Sequence, residues 1–164
     1  MPLNESLIAE LKHESAGTRK MLERVPEKSY DWKPHDKSMS IGRLAMHLAE
    51  IPMWTDVTLL QDELDFAKLD YKPRDATSTK DLLKFFDDNV NKALETLKST
   101  SDEEFMKGWT MRTGDEVHFT LPKIAVVRSF ILSHNIHHRG QMSVYLRMLD
   151  VPVPSIYGPT ADEA

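Results

Sequence analysis

The chain has 164 residues, no cysteine and a formal net charge of −5 at pH 7, which excludes disulfides, thiolate metal sites and an intrinsic thiol nucleophile. Basic residues are dispersed among acidic ones, so a nucleic-acid partner gripped through clustered Lys and Arg is also excluded. The length suits one domain, expected over 1–164, with a core of its own. No apolar run is long enough to span a bilayer and the N-terminus lacks the pattern of a signal peptide, so no membrane partner and a cytoplasmic location are expected.

Helical periodicity begins at about Glu5 and runs to Val25, with Leu7, Ile8, Leu11, Thr18, Met21, Leu22 and Val25 on one face. Pro26 and Asp31-Trp-Lys-Pro34 end it and open an irregular connection. A second helix is expected to start at Ser38 or Ser40, both good caps, and to continue beyond Trp54. Its inner face is Ile41, Leu44, Leu48 and Ile51, with His47 among them. Pro52 has no N–H for the i−4 carbonyl, so a kink is expected one turn past His47.

The third helix starts at Ser78, with Asp81 three residues on as an approximate capping box. Leu82, Leu83, Phe86, Val90, Leu94 and Leu97 form its stripe. Trp109–Arg112 and Val117–Thr120 then alternate in period two around Thr113-Gly114-Asp115, which predicts a short β-hairpin or extended flap packed on the helices. The fourth helix is expected from Pro122, as a first-turn proline, to Leu149, about 40 Å at 1.5 Å per residue. The tail, about 151–164, is too rich in proline for a helix. The expected class is all-α, a four-helix bundle with a hairpin or flap before the last long helix.

His134 and His138 stand four apart on that helix, so their imidazoles share a face. Val127, Ile131, Met142, Tyr145 and Leu149 fall on the same stripe, which turns the pair toward the core. Three or four protein ligands are usual for a transition metal. Among the other histidines, only His47 lies on the apolar face of a helix. His13 is on a polar face, His35 in a polar loop, His118 on the outer side of the hairpin, and His137 about 100° around the helix from His138. Elimination leaves His47, His134 and His138. A lone histidine on an apolar face is more often a hydrogen-bonded core residue, and an i,i+4 pair also arises by chance, so spacing alone leaves both readings open.

The segments Ser40-Ile-Gly-Arg-Leu-Ala-Met-His47-Leu-Ala-Glu50, His134-Asn-Ile-His-His138-Arg-Gly-Gln141 and Val153-Pro-Ser-Ile-Tyr-Gly-Pro159 resemble the DinB/YfiT-like family of small metal-binding bundles. The resemblance covers nearly the whole chain. It implies a divalent metal, nickel or zinc, held by His47, His134 and His138 between the second and fourth helices. It further implies an up-down-down-up bundle, a homodimer, and relatives that transfer a low-molecular-weight thiol.

The neighbouring residues carry expectations of their own. Gln141 is placed to hold a metal-bound water or a substrate carbonyl, and Arg139 to cap a segment or pair with an acid. Gly140 is expected to admit another backbone, such as the tail. Glu50 could orient His47, although a surface salt bridge is the plainer role. Trp54, Tyr145 and Tyr157 are candidates for pocket walls or plain core. Two enzymatic readings follow, a transferase that uses an exogenous thiol or a hydrolase of a small-molecule substrate. The alternative is a non-enzymatic metal-binding bundle related to damage or stress.

Overall fold

Local sequence explains where two of the main helices begin. The structure, a computed structural model, describes residues 2–163; Met1 and, from the expected tail, Ala164 lie outside the described residues. Helix α1 (Leu3–Glu23) follows Pro2, which makes no side-chain cap; Leu3 N–H instead donates to Asp102 Oδ1 at 2.9 Å. Helix α2 (Ile41–Glu50) is capped by Ser40, whose Oγ accepts from Arg43 N–H at 3.2 Å. The kink expected at Pro52 is a 3-10 turn over Ile51–Met53, beyond which α3 (Trp54–Leu59) continues. Helix α4 (Thr79–Ser99) has Ser78 Oγ accepting from Asp81 N–H at 3.1 Å. Both serine caps fall where the sequence places them.

The last long helix has three parts: α6 (Lys123–Val126), a π-helical stretch over Val127–Ser133, and α7 (His134–Met148), after the short α5 (Asp102–Phe105). Pro122 occupies the cap position rather than the first turn. Helix α1 packs on α4 and α7, and α2 packs on the same two. Helices α1 and α2, consecutive in the chain, thus stand across a diagonal of the bundle. Leu7, Leu22, Leu44, Leu48, Phe86 and Met142 are among the fully buried residues of the core they enclose.

The expected hairpin is present as β2 (Gly108–Thr113) and β3 (Glu116–Pro122), antiparallel, with Thr110 opposite Thr120. It takes a third strand, β1 (Glu63–Asp65), parallel to β2 with Leu64 opposite Met111. The all-α expectation is therefore too narrow: a mostly helical bundle carries a three-stranded sheet. Leu64, Trp109, Met111 and Val126 bury a second apolar cluster beneath it, and Trp109 Nε1 donates to Val57 O of α3 at 3.2 Å. Lys123, 1 % exposed, donates to Leu59 O at 3.1 Å and Glu104 Oε1 at 2.6 Å, so the buried charge is paired where helices and sheet meet.

The tail has no helix or strand up to Glu163. Arg147 holds Asp162 (Nη1 to Oδ1, 3.1 Å) and Arg24 holds Glu163 (2.5 Å). The close approach expected at Gly140 does not occur, since a Cβ there would meet nothing within 4 Å. It occurs at Gly17, where a Cβ would lie 2.8 Å from Ile156 Cγ2 of the tail and 3.0 Å from Arg139 Nη1. Gly42 is as crowded, because its Cβ would lie 2.9 Å from Tyr30 O, a backbone atom.

Gly140→Ala is expected to raise unfolding stability by about 0.5–1 kcal/mol through helix propensity. Gly42→Ala is expected to lower it by about 1–3 kcal/mol through overpacking. Urea unfolding of the two variants beside the wild type checks both signs.

Candidate metal centre

Helices α2 and α7 are neighbours, and their facing sides bring His47, His134 and His138 together. His47 Nε2 lies 3.3 Å from His134 Nε2, and His138 Nε2 lies 2.8 Å from the same atom. One ligand atom from each residue falls within 4.8 Å of the others. His138 is buried, and the other two are half-buried.

The opposite nitrogens determine the protonation pattern. His138 Nδ1 donates to Gln141 Oε1 at 2.7 Å. His134 Nδ1 donates to the Phe130 carbonyl at 3.3 Å; a carbonyl can only accept, so the proton is on Nδ1. His47 Nδ1 faces the carboxylate of Glu50, with Oε2 at 3.8 Å, an electrostatic contact longer than a hydrogen bond. The Nε2 lone pairs of His134 and His138 are then free, and the Nε2 atom of His47 converges on them. Three imidazole nitrogens so placed fit a divalent transition metal and leave coordination positions open.

The electrostatics favour the neutral form of His134 and His138. Burial first, then the other imidazoles, push His138 down to about 4, against the opposing bond from Gln141. Burial and His47 also lower His134. Burial would raise Glu50, but its contacts with His47, Arg43 and Tyr71 outweigh that and hold it at about 2. Glu50 is 2 % exposed. Arg43 donates to both of its oxygens (3.2 and 2.9 Å), and Tyr71 OH donates to Oε2 at 2.7 Å. The surface salt bridge expected for Glu50 is thus replaced by a buried, fully engaged carboxylate.

The remaining residues sort out clearly. Gln141 is taken up by His138 instead of facing a water or substrate. Arg139 pairs with an acid, as expected: it is buried and donates to Glu14 Oε2 at 2.6 Å and to Glu14 O at 2.9 Å. Tyr157 joins that pair from the tail, its OH 2.5 Å from Glu14 Oε2, and so does not wall the histidines. Tyr145 packs edge-on against Trp32 and bonds Met39 O. Trp54 does border the centre, through Phe130, whose ring lies 5.6 Å from that of His134. A shallow groove lined by Ser129, Phe130, Ser133, His134 and His137 opens on this flank. His13, His35, His118 and His137 are exposed, as their positions predict. Sequence reasoning missed Arg43, Tyr71 and Phe130; Arg43 and Phe130 stand four residues before His47 and His134, a helical spacing that could have found them, whereas Tyr71 lies in a loop without periodicity.

A family model for the DinB family matches residues 1–164. The protein YrdA of Bacillus subtilis (strain 168) is 27% identical over 158 residues, which cover 92% of this chain and 85% of that one. Among solved structures, the fold is similar to that of a DinB-like protein from Bacillus cereus (TM-score 0.68, 23% identity, 93% of this chain and 97% of that one). It is also similar to DinB-like YjoA of Bacillus subtilis (TM-score 0.72, 16% identity, 94% and 99%). YfiT of Bacillus subtilis (TM-score 0.63, 16% identity, 90% and 87%) is described as a probable metal-dependent hydrolase with an unusual four-helix bundle topology.

Acidification should destabilise the metal-free protein in two stages. The folded His138 value of about 4 lies below the ordinary histidine value of 6.5. The unfolded chain therefore binds more protons between those values, and stability present above about pH 6.5 is lost as pH falls toward 4. Glu50, at about 2 against 4.5, adds a loss from pH 4.5 downward in the same direction. Urea midpoints measured from pH 7 to pH 4 should fall, and His138→Gln should flatten the slope over that window.

Proposed function

The chain belongs to the DinB family, and from that membership and its three converging imidazoles we propose that it is a metal-dependent hydrolase of a small-molecule substrate. His47, His134 and His138 hold one divalent ion through Nε2, with zinc and nickel the first ions to test. The observation that carries this reading is the arrangement of the ring nitrogens. Each Nδ1 faces an acceptor, Glu50, the Phe130 carbonyl or Gln141, and the three Nε2 atoms face the same point. Hydrogen-bonded core histidines need no such convergence.

A divalent ion held there supplies Lewis-acid polarisation of a carbonyl and of water. The chain's own residues supply orientation. Glu50, the Phe130 carbonyl and Gln141 fix the rings, as the outer partners of metal-binding histidines commonly do. Trp54 and Phe130 keep one flank apolar, which limits water and strengthens electrostatic interactions at the centre. Hydrolysis is preferred to thiol transfer because YfiT, which shares the fold, is described as a probable metal-dependent hydrolase, while this chain has no cysteine and a thiol would have to come from outside.

Elemental analysis of wild type beside His134→Ala/His138→Ala, purified identically, is expected to give about one divalent metal per chain and none, respectively. Circular dichroism should confirm that the double variant is folded. Metal in both or in neither, even after reconstitution, sinks the proposal. With metal bound, turnover of model esters or amides without added thiol supports hydrolysis. Turnover only with an added thiol moves the assignment to transfer, and none of either kind moves it to a non-enzymatic metal-binding bundle.

A further inference from the structure

Between β1 and α4 the chain runs through residues 66–78 without helix or strand, yet this segment reaches the centre by two routes. The first passes through Glu50. Its Oε2 accepts from Tyr71 OH at 2.7 Å and faces His47 Nδ1 at 3.8 Å, while its Oε1 accepts from Arg74 N–H at 3.4 Å. Arg43 completes the cluster, donating to Glu50 and, at 3.2 Å, to Tyr71 OH. The second is aromatic. The Tyr71 ring lies 6.2 Å from Trp54, Trp54 lies 6.1 Å from Phe130, and Phe130 lies 5.6 Å from His134.

One buried carboxylate therefore serves a ligand imidazole and a loop at once. We propose that segment 66–78 is a cover over the centre whose docking is coupled to metal loading, with Glu50 and Tyr71 as the positioning residues that transmit the coupling. The proposal rests on the metal-binding reading above.

The physical basis is a shared acceptor. A cation on Nε2 withdraws charge from the ring, makes His47 Nδ1–H a stronger donor and tightens its contact with Glu50. A carboxylate held in place for His47 is also held in place for Tyr71 OH and Arg74 N–H. Coupling between two such equilibria is reciprocal: if loading favours the docked loop, the docked loop favours loading by the same factor. Arg74 fixes the far end independently, with its guanidinium on Asp81 (2.5 Å) and over the Phe85 ring (4.7 Å). The segment is thus tethered beyond Arg74, and Tyr71 is the contact that moves with the centre.

The test uses zinc ion as probe, with two readouts: affinity by chelator competition and hydrogen exchange of the amides in 66–78. In wild type, zinc is expected to slow exchange around Tyr71. Tyr71→Phe keeps the ring on Trp54 and removes only the hydroxyl, so it remains readable even where Glu50→Gln fails to fold. It should weaken zinc binding roughly three- to tenfold, below the 10–100-fold typical of a direct partner of a ligand, and should lose the zinc-induced protection. Equal zinc affinity in Tyr71→Phe and wild type, even with lowered stability, would make Tyr71 a structural staple and overturn the proposal. Unchanged loop exchange on zinc addition would overturn it as well. In both cases zinc binding by the wild type leaves the three-imidazole reading standing, whereas binding of neither zinc nor nickel by the wild type removes both.

Discussion

Three imidazoles whose Nε2 atoms stand 2.8 and 3.3 Å apart are the contact on which the helices that carry them converge. The arrangement holds only while the two helices that carry them are fixed from outside, and much of the buried polar chemistry of the chain serves that end. Arg139, next to His138, reaches into α1 and takes both the carboxylate and the carbonyl of Glu14. Asn135, next to His134, accepts from Thr18 Oγ1 at 2.5 Å. These two contacts set the rotation of α7 about its own axis. On α2, Asn89 of α4 donates to Ala49 O at 2.9 Å, just before the break at Pro52, and Glu50 is held by Arg43. The three histidines are thus flanked by buried residues that bond to the other two helices of the bundle.

The features legible in the sequence are those set by neighbours in the chain. The caps at Ser40 and Ser78 depend on an N–H three residues away, and the apolar stripes depend on a period of a few residues. His47, His134 and His138 were found because each lies on such a stripe. What escaped was set at a distance. Strand β1 is three residues long and takes its register from Thr110–Arg112, so no alternation announces it. Glu50 read as a surface residue because its partner Tyr71 arrives from a loop without periodicity. The small residue that a close approach requires is Gly17, against Ile156, and nothing local separates it from Gly140, which faces open space.

The π-helical stretch escaped for a subtler reason. Its residues, Val127–Ser133, would read as α-helix from composition, and it differs only in the phase of its hydrogen bonds. In α register the Phe130 carbonyl would be claimed by the backbone N–H of His134. In π register that bond moves one residue on, and the carbonyl is available to the imidazole Nδ1 of His134. Phe130, within the stretch, packs edge-on against Trp54. Departures of this kind are frequent at functional sites, and here the departure ends at the residue where the ligand pair begins.

His47 and His134 are 87 positions apart in the chain, and the helices that carry them meet only when the last long helix docks. A growing polypeptide has His47 long before it has a partner for it. At about 5–20 residues per second on the ribosome, the interval is on the order of ten seconds, during which a single exposed imidazole can hold an ion only weakly. The three imidazoles come together only after His138 has emerged and α7 has closed on α2. The three-histidine cluster is therefore a property of the finished fold and not of a nascent chain.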